Sequence, residues 1–478
     1  MRERVKVSTM GTPVPELADR ARACADRLRA AEEVLLASHI DADGLTSAAV
    51  AATALERAGL PFEVVFSKQL DEDEIAAIAA TDYETVLFTD FGSGQLDVIA
   101  AHEAAGEFTP VVADHHRPAD VEAEYHLNPL LEGLDGSAEL SGAGAAHVLA
   151  RALEGDGDNR DLAALAVVGA VGDMQASGGR LVGANEAIVE DGVASGALET
   201  GTDLALYGKQ TRPLPKLLEY ASEVRIPGIT GDESGAIRFL DGLDLELRAD
   251  GEWRTWSALT AAEKQTVTSA LIKRAVRNGV DAGKIEALVG RSYTLAAEDV
   301  GTELRDASEF STLLNATARY ERADVGLAVC LGDRGEALAE ARRLLRGHRR
   351  NLSAGLNLVT REGVTREEHV QWFHAGDRIR ETIVGIVAGM AVGSDGIDRN
   401  VPILAFAEKN DAEVKVSARG TPALTRQGLD LSAVMSGASR AVGGDGGGHD
   451  VAAGATVPKG REREFVRRAD DIVGEQLG

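Results

Sequence analysis

Cysteine is nearly absent: Cys24 and Cys330 are the only two in 478 residues, too few for a disulfide framework. Long apolar runs are missing as well. The longest, such as 162–172 and 383–393, stay well below the roughly 18 residues of a membrane span. The first twenty residues hold no apolar core and no small-residue cleavage site, which argues against a secretory leader. Together these absences predict a protein of a reducing cytoplasm with no membrane partner. Aromatic residues make up 4% of the chain, so a stacking platform for many bases is not expected. Lysine is scarce: 10 of the 50 basic residues, set against 77 acidic ones and a net charge of −27. Such a surplus of carboxylates resembles the surfaces of proteins from salt-loving cytoplasm, where counterions screen self-repulsion. An acidic balance argues against nucleic acid as a partner, because Lys and Arg supply much of that affinity. High salt weakens that argument, and a local basic or metal-loaded groove can still hold a polyanion.

A chain of this length with 44% hydrophobic residues exceeds one core and should form two or three domains. Between residues 33 and 113, short apolar runs (VLLAS at 34–38, FEVVF at 62–66, TVLF at 85–88, TPVVA at 109–113) alternate with alanine-rich helical stretches. Alternation of this kind predicts an α/β fold, a parallel sheet with helices on both faces. Helical patterns follow at 140–154 and 161–173. Residues 196–300 read as a linker or insert with small elements of its own and a helix at 260–278. A smaller α/β segment, 301–478, opens with helices at 307–320 and 335–356. Strand-like 383–392, 402–408 and 413–418, a glycine cluster and a helix at 460–477 complete it. The expected domains are thus 1–195, 196–300 and 301–478.

Three of the four predicted strands end in metal-ligand residues: SHIDADG (38–44), FTDFGSG (88–94) and ADHHRP (113–118). In an open parallel sheet the ligand crevice lies beyond the carboxyl ends of the strands, so all three clusters should meet at one edge. Extended backbone from His39 to Asp43 would turn His39, Asp41 and Asp43 to one side, with Gly44 letting the chain bend into a helix. Asp173 follows an apolar helix and, as a carboxylate after such a run, should be paired or metal-bound. Mixed Asp and His donors suit a divalent first-row ion, manganese more naturally than calcium, with magnesium as the second candidate. Asp41, Asp43, Asp90 and Asp173 sum to −4, which two divalent cations would cancel, leaving a site that a phosphate can approach. Each piece has a plainer reading. DxDG is a common turn with Asp43 as helix cap, and Asp90 could cap a helix as well. Adjacent His115 and His116 at a strand end seldom serve packing.

These motifs, with SGAG at 141–144 and VGD ending at Asp173, resemble the DHH phosphoesterase superfamily, in the same order. GGDGGGHDVAAG (443–454), with 381–392 and the VSAR ending at Arg419, resembles the associated DHHA1 domain. The RecJ-like single-strand exonuclease branch in its archaeal form is the nearest likeness. The resemblance implies one metal site from His39, Asp41 and Asp90 and another from Asp43, Asp90, His115 and Asp173, with Asp90 bridging. It places Asp114 behind a histidine that it orients and His116 near the scissile phosphate, and it makes Asp43, Asp90, His115, His116 and Asp173 the catalytic set. Arg419 would grip a phosphate. The backbone of Gly446, Gly447 and Gly448, within a glycine loop shaped as an anion-binding concavity, would hold a phosphate with His449.

Two weaker features remain open at this level. The arginines of 341–350, among them Arg342, Arg346, Arg349 and Arg350, could track a nucleic-acid backbone or pair with carboxylates. Trp253 and Trp256 could stack bases, although core packing is the better reading. The implied activity is hydrolysis of single-stranded DNA, or RNA, from an end to mononucleotides, in a cleft between the two outer domains. Rival readings are an oligoribonuclease, a cyclic-dinucleotide or 3′-phosphoadenosine phosphatase, and a non-catalytic replisome factor. Expected partners are single-stranded nucleic acid and replication proteins such as GINS, with roles in DNA repair and replication.

Overall fold

The computed structural model describes residues 12–154, 157–176, 179–221, 224–394 and 396–478. The first eleven residues, read above as free of a leader pattern, lie outside them. The chain divides into two compact units, Met1–Arg342 and Arg343–Gly478.

The first unit opens with α1 (Ala18–Arg29), β1 (Val34–His39), α2 (Ala42–Arg57), β2 (Phe62–Ser67), α3 (Glu72–Ala79), β3 (Thr85–Thr89), α4 (Leu96–Ala104), β4 (Thr109–Ala113) and β5 (His126–Leu127). The strands form one sheet in the order β2-β1-β3-β4-β5, every pair parallel. Both faces are covered, which is why the central strands read as continuous apolar runs instead of alternating ones. On one face Leu35, Ala37, Val86, Phe88 and Val112 pack against Ile75 and Ile78 of α3 and Leu96 and Ile99 of α4. On the other, Leu36, Leu87 and Val111 are fully buried, where α1, α2 and α5 (Gly142–Leu153) contact the sheet and α6 (Ala163–Gly172) packs on α2 and α5. Register fixes the functional edge: Ser38 pairs with Thr89 and Thr89 with Ala113, so β1, β3 and β4 stop at one level.

Next come α7 (Ala184–Ser195) and β6 (Leu198–Leu204), and β6 pairs antiparallel with the strand Val289–Leu295. Between these two strands the chain builds its own apolar core around Leu214, Leu217, Trp256, Val267 and Leu271. The long helix of this insert, Ala261–Arg277, starts on a capping box of Thr260 and Glu263. Trp256 belongs to that core, 1% exposed, and its indole N–H donates to Asp203 Oδ1 at 2.8 Å. Trp253 is half-buried under the Arg248 guanidinium, 4.1 Å from its ring centre, so packing accounts for both tryptophans.

The helices Ala307–Arg319 and Ala323–Cys330 contact α2, and the former also α6. Both therefore lie in the first unit, and the division falls at Arg342, inside the helix Glu336–Glu362, instead of at residue 301. Arg342 Nε lies 2.5 Å from Glu303 Oε1, so this arginine of the cluster serves an ion pair.

The second unit carries a six-stranded mixed sheet in the order Thr365–Arg366, Gln371–His374, Ile403–Glu408, Glu413–Arg419, Ala452–Pro458, Asp445–Gly448. Phe406, Val416, Met435 and Phe465 fill the core between one sheet face and the helices Leu431–Ala441 and Glu462–Leu477. Residues 383–392, read as strand-like from their valines and isoleucines, form instead the helix Val384–Ala391. Gly385 lets that helix lie close over Ser417 and Arg419. A Cβ at Gly385 would sit 2.5 Å from Arg419 Nη2 and 2.9 Å from Ser417 Oγ.

Candidate metal centre

The strand ends deliver their side chains to one place, though by a route that differs from simple alternation. β1 ends at His39, and Asp41 is the N-cap of α2, its Oδ1 accepting from Gly44 N at 3.0 Å. Asp43 therefore sits in the first helical turn and is not an extended residue. The cap expected of Asp43 belongs to Asp41. Gly44 is needed for approach, since a Cβ there would lie 2.2 Å from the His39 carbonyl oxygen. The buried Asp43 carboxylate accepts from Gly142 N at 2.8 Å and Ala143 N at 3.0 Å. These are the first amides of α5, a helix end whose dipole favours an anion. That gives SGAG a physical role: Ser141 caps α5, and Gly142 leaves room for Asp90, whose Oδ1 would lie 2.3 Å from a Cβ.

Asp90 follows β3 with φ of 60°, a left-handed conformation costly for a residue other than glycine. It is 2% exposed, and its two oxygens face different neighbours. Oδ2 is 3.5 Å from His39 Nδ1, which is also 3.3 Å from Asp41 Oδ2. Oδ1 is 3.3 Å from His115 Nε2, which is 3.7 Å from Asp43 Oδ2. Asp173, the C-cap of α6, brings Oδ2 to 3.8 Å from His115 Nδ1. Three groups able to hold an ion thus meet at this edge: His39, Asp41 and Asp90 on one side of Asp90, Asp43, His115 and Asp173 on the other, and Asp90 with Asp114, His115 and His116.

Surrounding residues fix this arrangement. The His115 ring donates through Nδ1 to the Gly136 carbonyl at 2.6 Å, which directs Nε2 toward Asp90. Gln175 Nε2 donates to Asp173 Oδ2 and to the same carbonyl, both at 2.9 Å, while Asn185 holds its other end. Asp114 is fully buried. Its Oδ1 accepts from the amides of His115 and His116 and from His116 Nδ1 at 2.8 Å, and its Oδ2 accepts from Ser93 N. It therefore orients His116, whose ring is more than half exposed beside the cluster. A cavity of about 240 Å³ adjoins this edge, lined by His39, Asp90, Asp114 and His116 together with Lys68 and Gln95. Gly142, Ala143, Gln175, Asn185 and Ser93 were not foreseen as supports; only SGAG left a sequence signal.

Electrostatics show what the cluster lacks. Burial alone would lower the His39 pKa, but Asp41 and Asp90 raise it to about 10. Asp41, despite burial, is held at about 2 by His39. Burial pushes Asp43 well above the usual carboxylate range, and the Asp90 charge adds to it. His115 is raised strongly by Asp90 and Asp43 against its burial. Asp114, in contrast, stays well below the carboxylate range despite burial because His116 pairs with it. Protons thus stand where positive charge is wanted. Asp90 Oδ1 is buried and, among the described residues, has the His115 ring at 3.3 Å but no hydrogen-bond partner, an acceptor that a cation would satisfy. Four carboxylates and two imidazoles around that atom fit divalent ions.

The proposed phosphate-binding residues lie in the second unit. Arg419 ends its strand opposite Ala452, and Gly448 pairs with Ala453, so Arg419 and His449 occupy one end of the same sheet. The glycine cluster is not a concave loop. Asp445–Gly448 is an edge strand paired with Ala452–Pro458, and His449 N donates to Ala452 O across the turn. Gly446 is there for close approach, since a Cβ would lie 2.7 Å from Ala455 Cβ and 2.9 Å from Met435 O, whereas one at Gly447 would meet open space. Strand pairing takes up amides that a concavity would turn to an anion.

Comparison with known proteins follows this architecture. Family models match at residues 33–170 (DHH family, N-terminal domain), 206–289 (DHH-CID domain) and 369–475 (DHHA1 domain). An uncharacterized protein of Methanocaldococcus jannaschii is 29% identical over 448 residues, covering 92% of this chain and 93% of its own. The crystal structure of RecJ from Thermus thermophilus in complex with Mn2+ superposes with a TM-score of 0.61 at 18% identity, over 98% of this chain. The chain spans only 56% of that RecJ chain. CDC45 from Entamoeba histolytica superposes with a TM-score of 0.64 at 12% identity, over 95% of this chain and 97% of its own. With all three domains in order, the chain is a DHH and DHHA1 domain protein, and its fold is similar to that of RecJ.

Proposed function

We propose that the protein is a metal-dependent exonuclease that hydrolyses single-stranded DNA or RNA from an end and releases mononucleotides. One observation supports the reading: five donor side chains, those of His39, Asp41, Asp43, His115 and Asp173, gather around a buried Asp90 whose Oδ1 has no hydrogen-bond partner among the described residues. His39, Asp41 and Asp90 would hold one divalent ion, and Asp43, Asp90, His115 and Asp173 the other. Manganese is the preferred ion and magnesium the second choice; Thermus RecJ has been crystallised with each of them. When bound, such ions activate water and neutralise charge on a phosphate.

The chain's own groups supply the rest. The α5 amides hold the Asp43 carboxyl in place beside Asp90. Asp114 keeps the His116 Nδ1 engaged, so that Nε2 of a protonated ring faces the cavity as a donor to a phosphoryl oxygen or leaving group. Arg419 and His449 would grip the substrate's phosphates from the DHHA1 sheet. The 206–289 insert, absent from a compact two-domain enzyme, favours a polymer over a dinucleotide. The fold shared with CDC45 leaves room for a replisome role and for docking to GINS. Retention of every ligand nevertheless favours catalysis over a purely structural part. The setting in a salt-loving cytoplasm and the roles in DNA repair and replication belong to the same proposal.

The test is digestion of single strands labelled at either end, as DNA and as RNA, in molar salt with Mn2+. Stepwise release of mononucleotides by the wild-type chain, lost in Asp43→Ala and His115→Ala, is the expected result. Hydrolysis by either variant at the wild-type rate, or preference for a dinucleotide, would overturn it.

A further inference from the structure

The helix Ala307–Arg319 lies outside all three segments that match family models, yet it reaches the metal-binding turn. Ala42, between Asp41 and Asp43, is the first helical residue of α2, 1% exposed, and its N–H is one of those a helix start leaves without an internal partner. Asn315 Oδ1 accepts it at 3.1 Å. Three helices close together here. A Cβ at Gly172, one residue before Asp173, would lie 2.8 Å from Ala42 Cβ and 3.2 Å from Ser311 Cβ. The backbone carrying Asp41, Asp43 and Asp173 is thus wedged against one face of a single helix. That helix is itself anchored at its start. Glu309 is 1% exposed and accepts from Gln210 N at 2.7 Å and from the Thr211 hydroxyl, while Lys209 lies 3.4 Å from Asp306.

We infer that Asn315 is a positioning residue of the metal centre, which sets the α2 turn so that Asp41 and Asp43 face Asp90 together. The inference rests on the metal reading above. Without the Asn315 oxygen a buried amide loses its acceptor, and the cheapest relief is rotation of the turn toward water, which swings both carboxylates. A hydrogen bond that merely stabilised the fold would leave ion affinity alone.

The experiment titrates Mn2+ into the full-length chain and reads free ion by its electron paramagnetic resonance signal. The set is wild type, Asn315→Ala, Asn315→Asp, Asn315→Ser and, as a matched destabilised control, Val267→Ala in the insert core. Wild type should bind. Asn315→Ala should bind Mn2+ at least about tenfold more weakly, Asn315→Asp, which keeps the acceptor oxygen, should return close to wild type, and Val267→Ala should bind normally. Should Asn315→Ala not fold, Asn315→Ser, whose oxygen reaches less far, carries the test by binding more weakly than Asn315→Asp. Wild-type affinity in Asn315→Ala or Asn315→Ser, with only the melting temperature lowered, overturns the positioning role and leaves the metal centre standing. A wild-type chain that binds no Mn2+ overturns the metal centre itself.

Discussion

The sheets of the two units end very differently. In the first, the carboxyl ends of β1, β3 and β4 lead into Asp43, Asp90, Asp114 and His115, all 6% exposed or less. In the second, Phe406, Val414, Val416, Ala453 and Val457 are buried among other apolar side chains, and Arg419 and His449 stand at the end of the sheet. One sheet gathers carboxylates and imidazoles in its interior, where protons stand in for positive charge; the other is a plain apolar platform with Arg419 and His449 at its end. Buried charge without a partner lowers stability, whereas apolar burial raises it. The two units should therefore respond to mutation in opposite ways, activity and stability changing separately.

The sharpest way to break this contrast is Asp90→Asn. It should cut hydrolysis by at least about a thousandfold, since both ions would lose a shared ligand, while the metal-free chain stays folded and gives up only the pairing of Asp90 with His39 and His115. Loss of the folded state together with hydrolysis would show that Asp90 serves the fold. In the second unit Phe406→Ala should do the reverse: a loss of about 3–5 kcal/mol in denaturant unfolding of that unit, from the cavity in its core, with the first unit's Mn2+ affinity unchanged.

Chelation sharpens the contrast through pH. His39 and His115 have raised pKa values in the folded chain, so the stability they contribute is present in full below the ordinary histidine value and is lost as pH rises, for His39 through about 10. Asp43, also raised, acts in the same direction at lower pH. The EDTA-treated chain should accordingly lose melting temperature between about pH 6.5 and 10, and saturating Mn2+ should flatten that slope. Equal slopes with and without Mn2+ would mean that these groups do not share an ion.

Arg419→Ala should raise KM about tenfold and leave Mn2+ affinity untouched, as expected of a phosphate grip that is not itself a metal ligand. The smallest effect belongs to Met174, beside Asp173. It adopts φ of 61° at the end of α6, where glycine is usual, and its side chain is 86% exposed. Met174→Gly should stabilise the chain by about 1 kcal/mol in urea unfolding, because relief of a left-handed conformation outweighs the entropy of an added glycine.

What was legible in the sequence follows from how local each determinant is. β1 to β4 were readable because each is a short apolar run closed by polar residues, and the convergence of their ends follows from parallel topology alone. β5 was not, since His126–Leu127 is two residues long and exists only by pairing with β4. Residues 384–391 read as strand because β-branched residues favour it; the helix they form packs through Gly385 against Ser417 and Arg419, which no local pattern reveals. DxDG named the right carboxylates but not their jobs. Whether Asp41 or Asp43 caps α2 is decided by the α5 amides a hundred residues away, which capture Asp43. The glycine cluster announced small residues without saying whether a ligand or a neighbouring helix needed the space, and Met435 supplies that answer.

The central claim is that this sheet edge is a binuclear centre bridged by Asp90. Equilibrium Mn2+ binding to the full-length chain, with electron paramagnetic resonance of the bound ions, tests it most directly. Two ions per chain, magnetically coupled and reduced to at most one in Asp90→Asn, is the predicted result. One uncoupled ion in the wild type, or two still coupled after Asp90→Asn, would contradict it.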